Sequence, residues 1–329
     1  MEYRLLGRTG VQVSPLCLGC MNFGWKTGPE DSRRIIDRAI EAGINFLDTA
    51  NVYAKGRSEE VVGEALQRNG RRDRIVLATK VHGTMGSGPN QSGNSRRHII
   101  EQCEASLRRL RTDWIDLYQI HRPQSVVPID ETLRALDDLV RQGKVRYLGT
   151  STFAAWQLVE SLWVSDRYGL SRFVCEQPPY HILDRRIERE LIPMADTYGI
   201  GIIPWSPLAG GLLTGKYSRD EAPKGSRYED MESARVSEAA FEVIDELAQL
   251  VQAKGCSMSQ FALAWCMSRE AVTSPIIGPR TAEQLEDNLK ALDVDITDED
   301  AETVDRLVEP GAVVSPFYEA DFGPAAFHW

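Results

Sequence analysis

The chain has 329 residues, 42% of them hydrophobic, with a formal net charge of -10, enough apolar material for one large α/β barrel or two smaller domains. Its acidic balance and scattered Lys and Arg disfavour nucleic acid and anionic membranes as partners, because both require a concentrated basic face. No stretch reaches the roughly 18 uninterrupted apolar residues of a membrane helix, and residues 1–7 carry no signal-peptide pattern, so a cytoplasmic protein acting on a small molecule is expected.

The chain opens with a hairpin pattern, strands at 3–6 and 12–14 turning at Gly7-Arg8-Thr9-Gly10. Short apolar runs then alternate with amphipathic helical stretches about every 30 residues, the pattern of a parallel sheet with crossover helices. Eight strands are read at 15–19, 45–48, 75–79, 115–120, 146–149, 173–176, 201–205 and 274–277. Helices fall at 32–42 after Asp31, 59–68 after Ser58, 96–109 after Ser95 and 131–141 after Asp130. Gly43 and Gly143 terminate two of these. Further helices lie at 154–166, 185–197 and 282–291.

Three departures enlarge this unit: a Gly-rich loop at 82–94, a long loop at 208–233, and an extra helix pair at 238–254 and 259–267. Loops of that length in a compact domain bind ligands or act as lids. With no linker or composition shift, residues 1–329 are read as a single domain, an α/β fold of the (β/α)8 TIM-barrel type with an N-terminal β-hairpin and long loops at the C-terminal face. Active sites of such barrels lie at that face. A doubly wound sheet is the runner-up, but G-x-G-x-x-G after a first strand is absent.

Segment 44–53, Ile44-Asn45-Phe46-Leu47-Asp48-Thr49-Ala50-Asn51-Val52-Tyr53, ends an apolar strand with a carboxylate that needs a partner from elsewhere. Lys80 ends the third barrel strand and His121 the fourth, so Asp48, Tyr53, Lys80 and His121 should converge. Singly, each has a plain structural reading; at matching places on successive strands they read as a site. Lys80 pairs with Asp48 and stabilises a Tyr53 phenolate, so Tyr53 can transfer a proton, while a neutral His121 donates to a substrate oxygen. Such a patch protonates an oxyanion. No metal cluster is read, and no Ser or Cys stands beside a base, which disfavours hydrolysis. Cys17-Leu18-Gly19-Cys20 spells C-x-x-C in an apolar run without a second pair and is read as structural.

These residues resemble the aldo-keto reductases over nearly the whole chain, from Leu5, Gly7, Thr9 and Gly10 through Asn45-Phe46-Leu47-Asp48-Thr49-Ala50 with Tyr53 to Gly278-Pro279-Arg280 and Asn288. The resemblance implies Asp48, Tyr53, Lys80 and His121 as the catalytic tetrad, with Tyr53 as general acid. It also implies NADPH or NADP+ bound in extended form, with Gly19, Met21 and Asp48 among its contacts, Ser151 and Gln177 on the nicotinamide amide, and Trp205 stacked on the nicotinamide ring. Ser206, Pro207, Leu208, Gly210, Leu212 and Lys216 would form the pyrophosphate loop. Gly278, Arg280, Gln284 and Asn288 would hold the adenosine end, with Arg280 at the 2′-phosphate. Segment 210–216 satisfies most of a P-loop pattern, but Tyr217 replaces the Ser/Thr that binds magnesium.

Thr152 stands where the family usually has Asn, Trp205 is larger than the usual ring, and Asn51 adds an amide near the tetrad. Candidates for the substrate-pocket walls are Trp25, Tyr53, His121 and Phe153, with Trp114, the 82–94 loop and the tail residues Phe317, Tyr318, Phe322, Phe327 and Trp329. The expected function is reversible NADPH-dependent reduction of aldehydes or ketones, with no nucleic-acid or membrane partner and self-association left open. The alternative is a nucleotide-sensing partner protein of the potassium-channel β-subunit type, which resembles the same family.

Overall fold

The computed structural model describes residues 1–229, 231, 233 and 235–316. The aromatic tail residues named above lie outside them. Strands β1 (Arg4–Leu5) and β2 (Gln12–Val13) form the hairpin, pairing Arg4 with Val13 and Leu5 with Gln12. Eight parallel strands follow: β3 (Cys17–Gly19), β4 (Phe46–Asp48), β5 (Val76–Val81), β6 (Ile115–Ile120), β7 (Val145–Ser151), β8 (Phe173–Gln177), β9 (Gly201–Ile202) and β10 (Ile276–Ile277). They run in order β10-β3-β4-β5-β6-β7-β8-β9. The Thr273 N–H donates to Ile202 O and the Ile276 N–H to Pro204 O, both at 2.8 Å, which joins the two ends into a (β/α)8 barrel.

The barrel interior is built in layers by the two-residue pleat of its strands. Cys17, Phe46, Ala78, Leu117, Cys175 and Ile203 pack as one apolar cluster, closed from below by Leu6 and Val13 of the hairpin. Gly149 takes the place of β7 in this layer, because a Cβ there would stand 2.7 Å from Cys175 Sγ. The alternate residues Leu18, Leu47, Leu77, Tyr118 and Leu148 face the helices and belong to the larger outer core. Two residues beyond the inner apolar layer, on the same face, come Gly19, Asp48, Lys80, Gln119, Ser151, Gln177 and Trp205. The polar site is thus the next storey of the barrel interior, resting on a dry floor.

The helices surrounding the barrel are α1 (Pro29–Glu41), α2 (Arg57–Asn69), α3 (Arg96–Leu110), α4 (Ile129–Arg141), α5 (Ala155–Tyr168), α6 (Leu191–Tyr198), α7 (Glu238–Lys254), α8 (Met258–Ser268), α9 (Ala282–Leu289) and α10 (Asp298–Leu307). Among the described residues no helix is long and apolar enough to cross a membrane. Ser95 caps α3 as expected, accepting from the His98 N–H at 3.3 Å. Three other expected caps are displaced.

Helix α1 starts at Pro29 after Gly28, because Pro is preorganised for the first helical position, and Asp31 sits within the first turn. Helix α4 starts after Pro128 instead of Asp130. Helix α2 starts after Gly56, and Ser58 turns its hydroxyl to Cys20 O at 2.7 Å. The helix expected at 185–197 divides into a 3₁₀ turn, Arg186–Glu188, and α6. There the buried Arg185 guanidinium is drawn to Glu188, Asp305 and Val308 O. Helix α10 was not expected, although Thr297 and Asp300 form a capping box at its start.

Candidate active site

Segment 49–56 carries the chain from β4 to α2 in a tight turn. Thr49 N–H donates to Ala78 O (2.9 Å) and Asn51 N–H to Lys80 O (3.1 Å), extending β4 past its last formal residue. Tyr53 then opens a 3₁₀ turn in which Ala54, Lys55 and Gly56 are left-handed, with φ of 48°, 55° and 94°. The left-handed form costs a non-glycine residue about 1–2 kcal/mol, and here it turns Tyr53 back over the strand ends. Ser58 and Glu59 fasten the turn from beneath: Glu59 is buried, accepting from Arg109 Nε and Thr79 Oγ1, each at 2.6 Å.

Lys80 is fully buried, and its three ammonium donors meet three acceptors: Asp48 Oδ1 at 2.5 Å, Thr49 O at 2.9 Å and Tyr53 Oη at 3.2 Å. An ammonium has no lone pair, so Tyr53 Oη accepts in this bond and its own proton is left to donate elsewhere. The other Asp48 oxygen, Oδ2, accepts from Gln119 Nε2 at 2.9 Å and Gln177 Nε2 at 3.0 Å. The carboxylate that lacked a partner in its own segment therefore has three.

Burial alone would push the Lys80 ammonium down, but Asp48 and the Tyr53 oxygen beside it outweigh burial and hold it above its ordinary value. His121, just past β6, meets the Tyr53 ring edge-on at 5.5 Å between centroids. Burial first, then the charges of Lys80 and Arg122, push its imidazole well below its ordinary value and keep it neutral. Cys17 and Cys20 are buried thiols that burial pushes well up, so neither supplies a thiolate.

A cleft of about 740 Å³ opens over this layer and runs along the C-terminal face, within the size range of small-molecule sites. Asp48, Tyr53, His121, Gly19, Met21, Ser151, Gln177 and Trp205 line its inner end. Ser206, Pro207, Leu208, Gly210 and Lys216 line it as well, as do Gly278, Arg280, Gln284 and Asn288. In the loop after β9, Ser206, Ala209, Gly210 and Gly211 have φ of 55°, 51°, 66° and 113°, and Tyr228 Oη would lie 2.4 Å from a Cβ at Gly210. Burial lowers the Lys216 ammonium below its ordinary value, and the Arg280 and Arg227 guanidiniums reinforce this.

Several expected walls lie elsewhere. Phe153 is buried in the outer core, with its ring 6.2 Å from Phe173, because the chain turns back there to start α5. Trp25 is 64% exposed, with the Lys26 ammonium 4.8 Å from its ring centre, and does not line the cleft. Trp114 precedes β6 at the opposite end of the barrel, stacked by Arg72 and bonded to Asp116. Leu212 is buried beneath its loop in the outer core, and Asn51 is buried with its amide donating to Gln102 at 3.3 Å; neither lines the cleft.

Conversely, Gln119, Arg122, Arg227, Asp287 and Lys26 were not anticipated. Gln119 braces Asp48, and the other four line the cleft. Only Gln119 had a signal, its place two residues before His121 on the same strand face. Arg122 Nη1 donates to His121 O at 2.7 Å and Thr152 Oγ1 at 3.1 Å, tying two strand ends together.

The chain matches the model of the Aldo/keto reductase family over residues 15–309. It is 41% identical over 311 residues to an uncharacterized oxidoreductase, YrpG, of Bacillus subtilis, covering 91% of this chain and 93% of the relative. Identity is 38% over 302 residues to a probable voltage-gated potassium channel subunit beta of Oryza sativa (89% and 92% covered). It is 36% over 344 aligned positions to the versiconal hemiacetal acetate reductase of Aspergillus parasiticus (95% and 98% covered). With the closed eight-stranded barrel and the cleft at its C-terminal face, this match over most of its length makes the chain a member of the aldo/keto reductase family, an NAD(P)H-dependent oxidoreductase.

Proposed function

We propose that the chain, acting as one cytoplasmic barrel domain over residues 1–329, reduces aldehydes or ketones to alcohols with NADPH, and runs the reverse oxidation with NADP+. The observation that carries this reading is the bond from Lys80 to Tyr53 Oη at 3.2 Å, which commits the Tyr53 oxygen as acceptor and leaves its proton for a ligand in the cleft.

The donor set of the cleft suits an extended dinucleotide. The Gln177 amide, the Ser151 hydroxyl and the Trp205 ring would face the nicotinamide end. Lys216, Arg227 and Arg280 would meet the phosphates, where a guanidinium fork matches a phosphate edge. Gln284 and Asn288 would hold the adenosine. When bound, the nicotinamide supplies the hydride to the carbonyl carbon.

The protein's own part is the proton. A carbonyl oxygen seated between Tyr53 and His121 receives a hydrogen bond from each. As negative charge grows on that oxygen, Tyr53 transfers its proton, and the phenolate left behind is stabilised by the Lys80 ammonium. Asp48, held by Gln119 and Gln177, keeps Lys80 charged and in place. Neutral His121 donates without competing as an acid, which follows from its lowered basicity.

A second reading, a nucleotide-sensing partner protein, rests on the name of the rice relative. A panel of aromatic aldehydes, sugars, steroid-like ketones and pyridoxal, followed by NADPH absorbance loss, separates the two. Turnover supports the reductase; NADPH binding with no turnover on any member supports the sensor.

A further inference from the structure

The hydrogen bonds at the strand ends decide what the cleft can offer a carboxamide. Gln177 Nε2 donates to Asp48 Oδ2 at 3.0 Å and to Gln119 Oε1 at 3.2 Å. A carboxylate only accepts, so Asp48 fixes the orientation of this amide; both of its N–H groups are committed, and Gln177 has its oxygen to give a ligand. Ser151 Oγ donates its proton to Gln177 O at 2.9 Å, and Thr152 Oγ1 donates its own to Ser151 O at 2.7 Å. Toward a ligand, these two hydroxyls are therefore acceptors as well.

A nicotinamide carboxamide carries an NH2 that donates and an oxygen that accepts. Ser151 Oγ and Gln177 Oε1 suit the NH2, and neither can serve the oxygen. The nearby backbone cannot serve it either, because the Thr152 N–H donates to Gln177 O at 3.3 Å and the Phe153 N–H to Glu176 at 3.1 Å. Trp205 Nε1 is buried, and Tyr53 and His121 are needed at the substrate carbonyl. Of the described strand-end residues that line the cleft, Arg122 is the one whose side chain donates and never accepts. Its Nη1 stands 3.4 Å from Ser151 Oγ, so a group bonded to that hydroxyl lies beside the guanidinium. Bonds to His121 O at 2.7 Å and Thr152 Oγ1 at 3.1 Å hold Nη1 there.

We propose that Arg122 donates to the carboxamide oxygen of the bound nicotinamide while Ser151 and Gln177 accept from its NH2. The assignment rests on the nucleotide reading of the cleft. It makes Arg122 a cofactor-binding residue and gives the carboxamide a single orientation.

Calorimetric titration of the full chain with three nucleotides tests this: NADP+, its thionicotinamide analogue, whose sulfur accepts more poorly than oxygen, and its acetylpyridine analogue, in which a methyl replaces the NH2. The parent should prefer NADP+ to both analogues. Arg122→Met should weaken NADP+ binding about 10-fold or more and abolish the preference for oxygen over sulfur, while the preference for NH2 over methyl persists. Ser151→Ala should do the reverse. Arg122→Lys, which keeps a charged donor, should restore part of the oxygen preference. Equal losses for all three nucleotides in Arg122→Met would reduce Arg122 to a tie between strand ends and overturn the proposal; so would an oxygen preference that survives the substitution. Aldehyde turnover by the parent is followed separately. A parent that binds with these preferences yet turns over no aldehyde upholds the assignment and counts against the reductase reading, and a parent that binds none of the three nucleotides overturns both.

Discussion

Gln119 Nε2 donates to Asp48 Oδ2 at 2.9 Å, so the carboxylate that pairs with Lys80 through one oxygen is braced through the other by the next strand but one. Gln177 joins the brace, donating to Asp48 Oδ2 at 3.0 Å and to Gln119 Oε1 at 3.2 Å. Replacing Gln119 by Leu removes one donor from a buried charge and one acceptor from Gln177. Urea denaturation should show a loss of about 1–3 kcal/mol, with kcat falling more than KM for the cofactor. A variant as stable as the parent would show that the brace is idle.

The Lys80–Asp48 pair is buried on both sides. Lys80→Met leaves Asp48 without its counter-charge, a change that destabilises buried pairs by about 3–5 kcal/mol. Adding Asp48→Asn should recover much of that stability without recovering activity. Additive losses in the double variant would mean that the two charges do not interact.

The barrel was legible because strands that alternate between a filled interior and a helix shell are apolar throughout and recur with helices between them. Asp48, Lys80 and His121 stood out because charged or basic groups are rare at the ends of such runs. Gln119 did not, since a neutral amide there reads equally as a solvated strand end. Arg227 was hidden because the 208–233 loop has no periodicity, and only its tertiary course brings it to Lys216 and Arg280. Phe153, Trp25 and Trp114 failed as pocket walls for a related reason: a ring next to a motif looks alike whether the local turn sends it into the core, into solvent or to the far end of the barrel.

Glu176, buried on the outer face of β8, accepts from Thr150 Oγ1 and from the Phe153 N–H at 3.1 Å, and burial raises its carboxyl to about 8. A raised carboxyl is protonated in the folded chain while the unfolded chain has already released the proton, from about pH 4.5 upward. Its stabilising contribution is therefore complete below pH 4.5 and is lost as pH rises toward 8, at up to about 1.4 kcal/mol per pH unit. Glu176→Gln mimics the protonated form, so its stability relative to the parent should grow between those limits and then level off. A difference independent of pH would contradict the raised value.

Arg280, Lys216 and Arg227 line the cleft together, and both guanidiniums act on the Lys216 ammonium. Arg280→Ala should weaken NADPH binding by about 10- to 100-fold, the range for a hydrogen bond to a charged group, and leave NADH binding nearly unchanged. Nucleotide fluorescence titration reads both. An equal loss for the two nucleotides would remove Arg280 from the 2′-phosphate.

The central claim is that Tyr53 holds the transferable proton because Lys80 occupies its oxygen as a donor. Tyr53→Phe deletes that proton and retains the ring that faces His121. Single-turnover reduction of an aromatic aldehyde by bound NADPH, with nucleotide affinity measured alongside, tests the claim most directly. The predicted result is unchanged NADPH affinity with a rate lowered about 100-fold or more; a rate near that of the parent would contradict it.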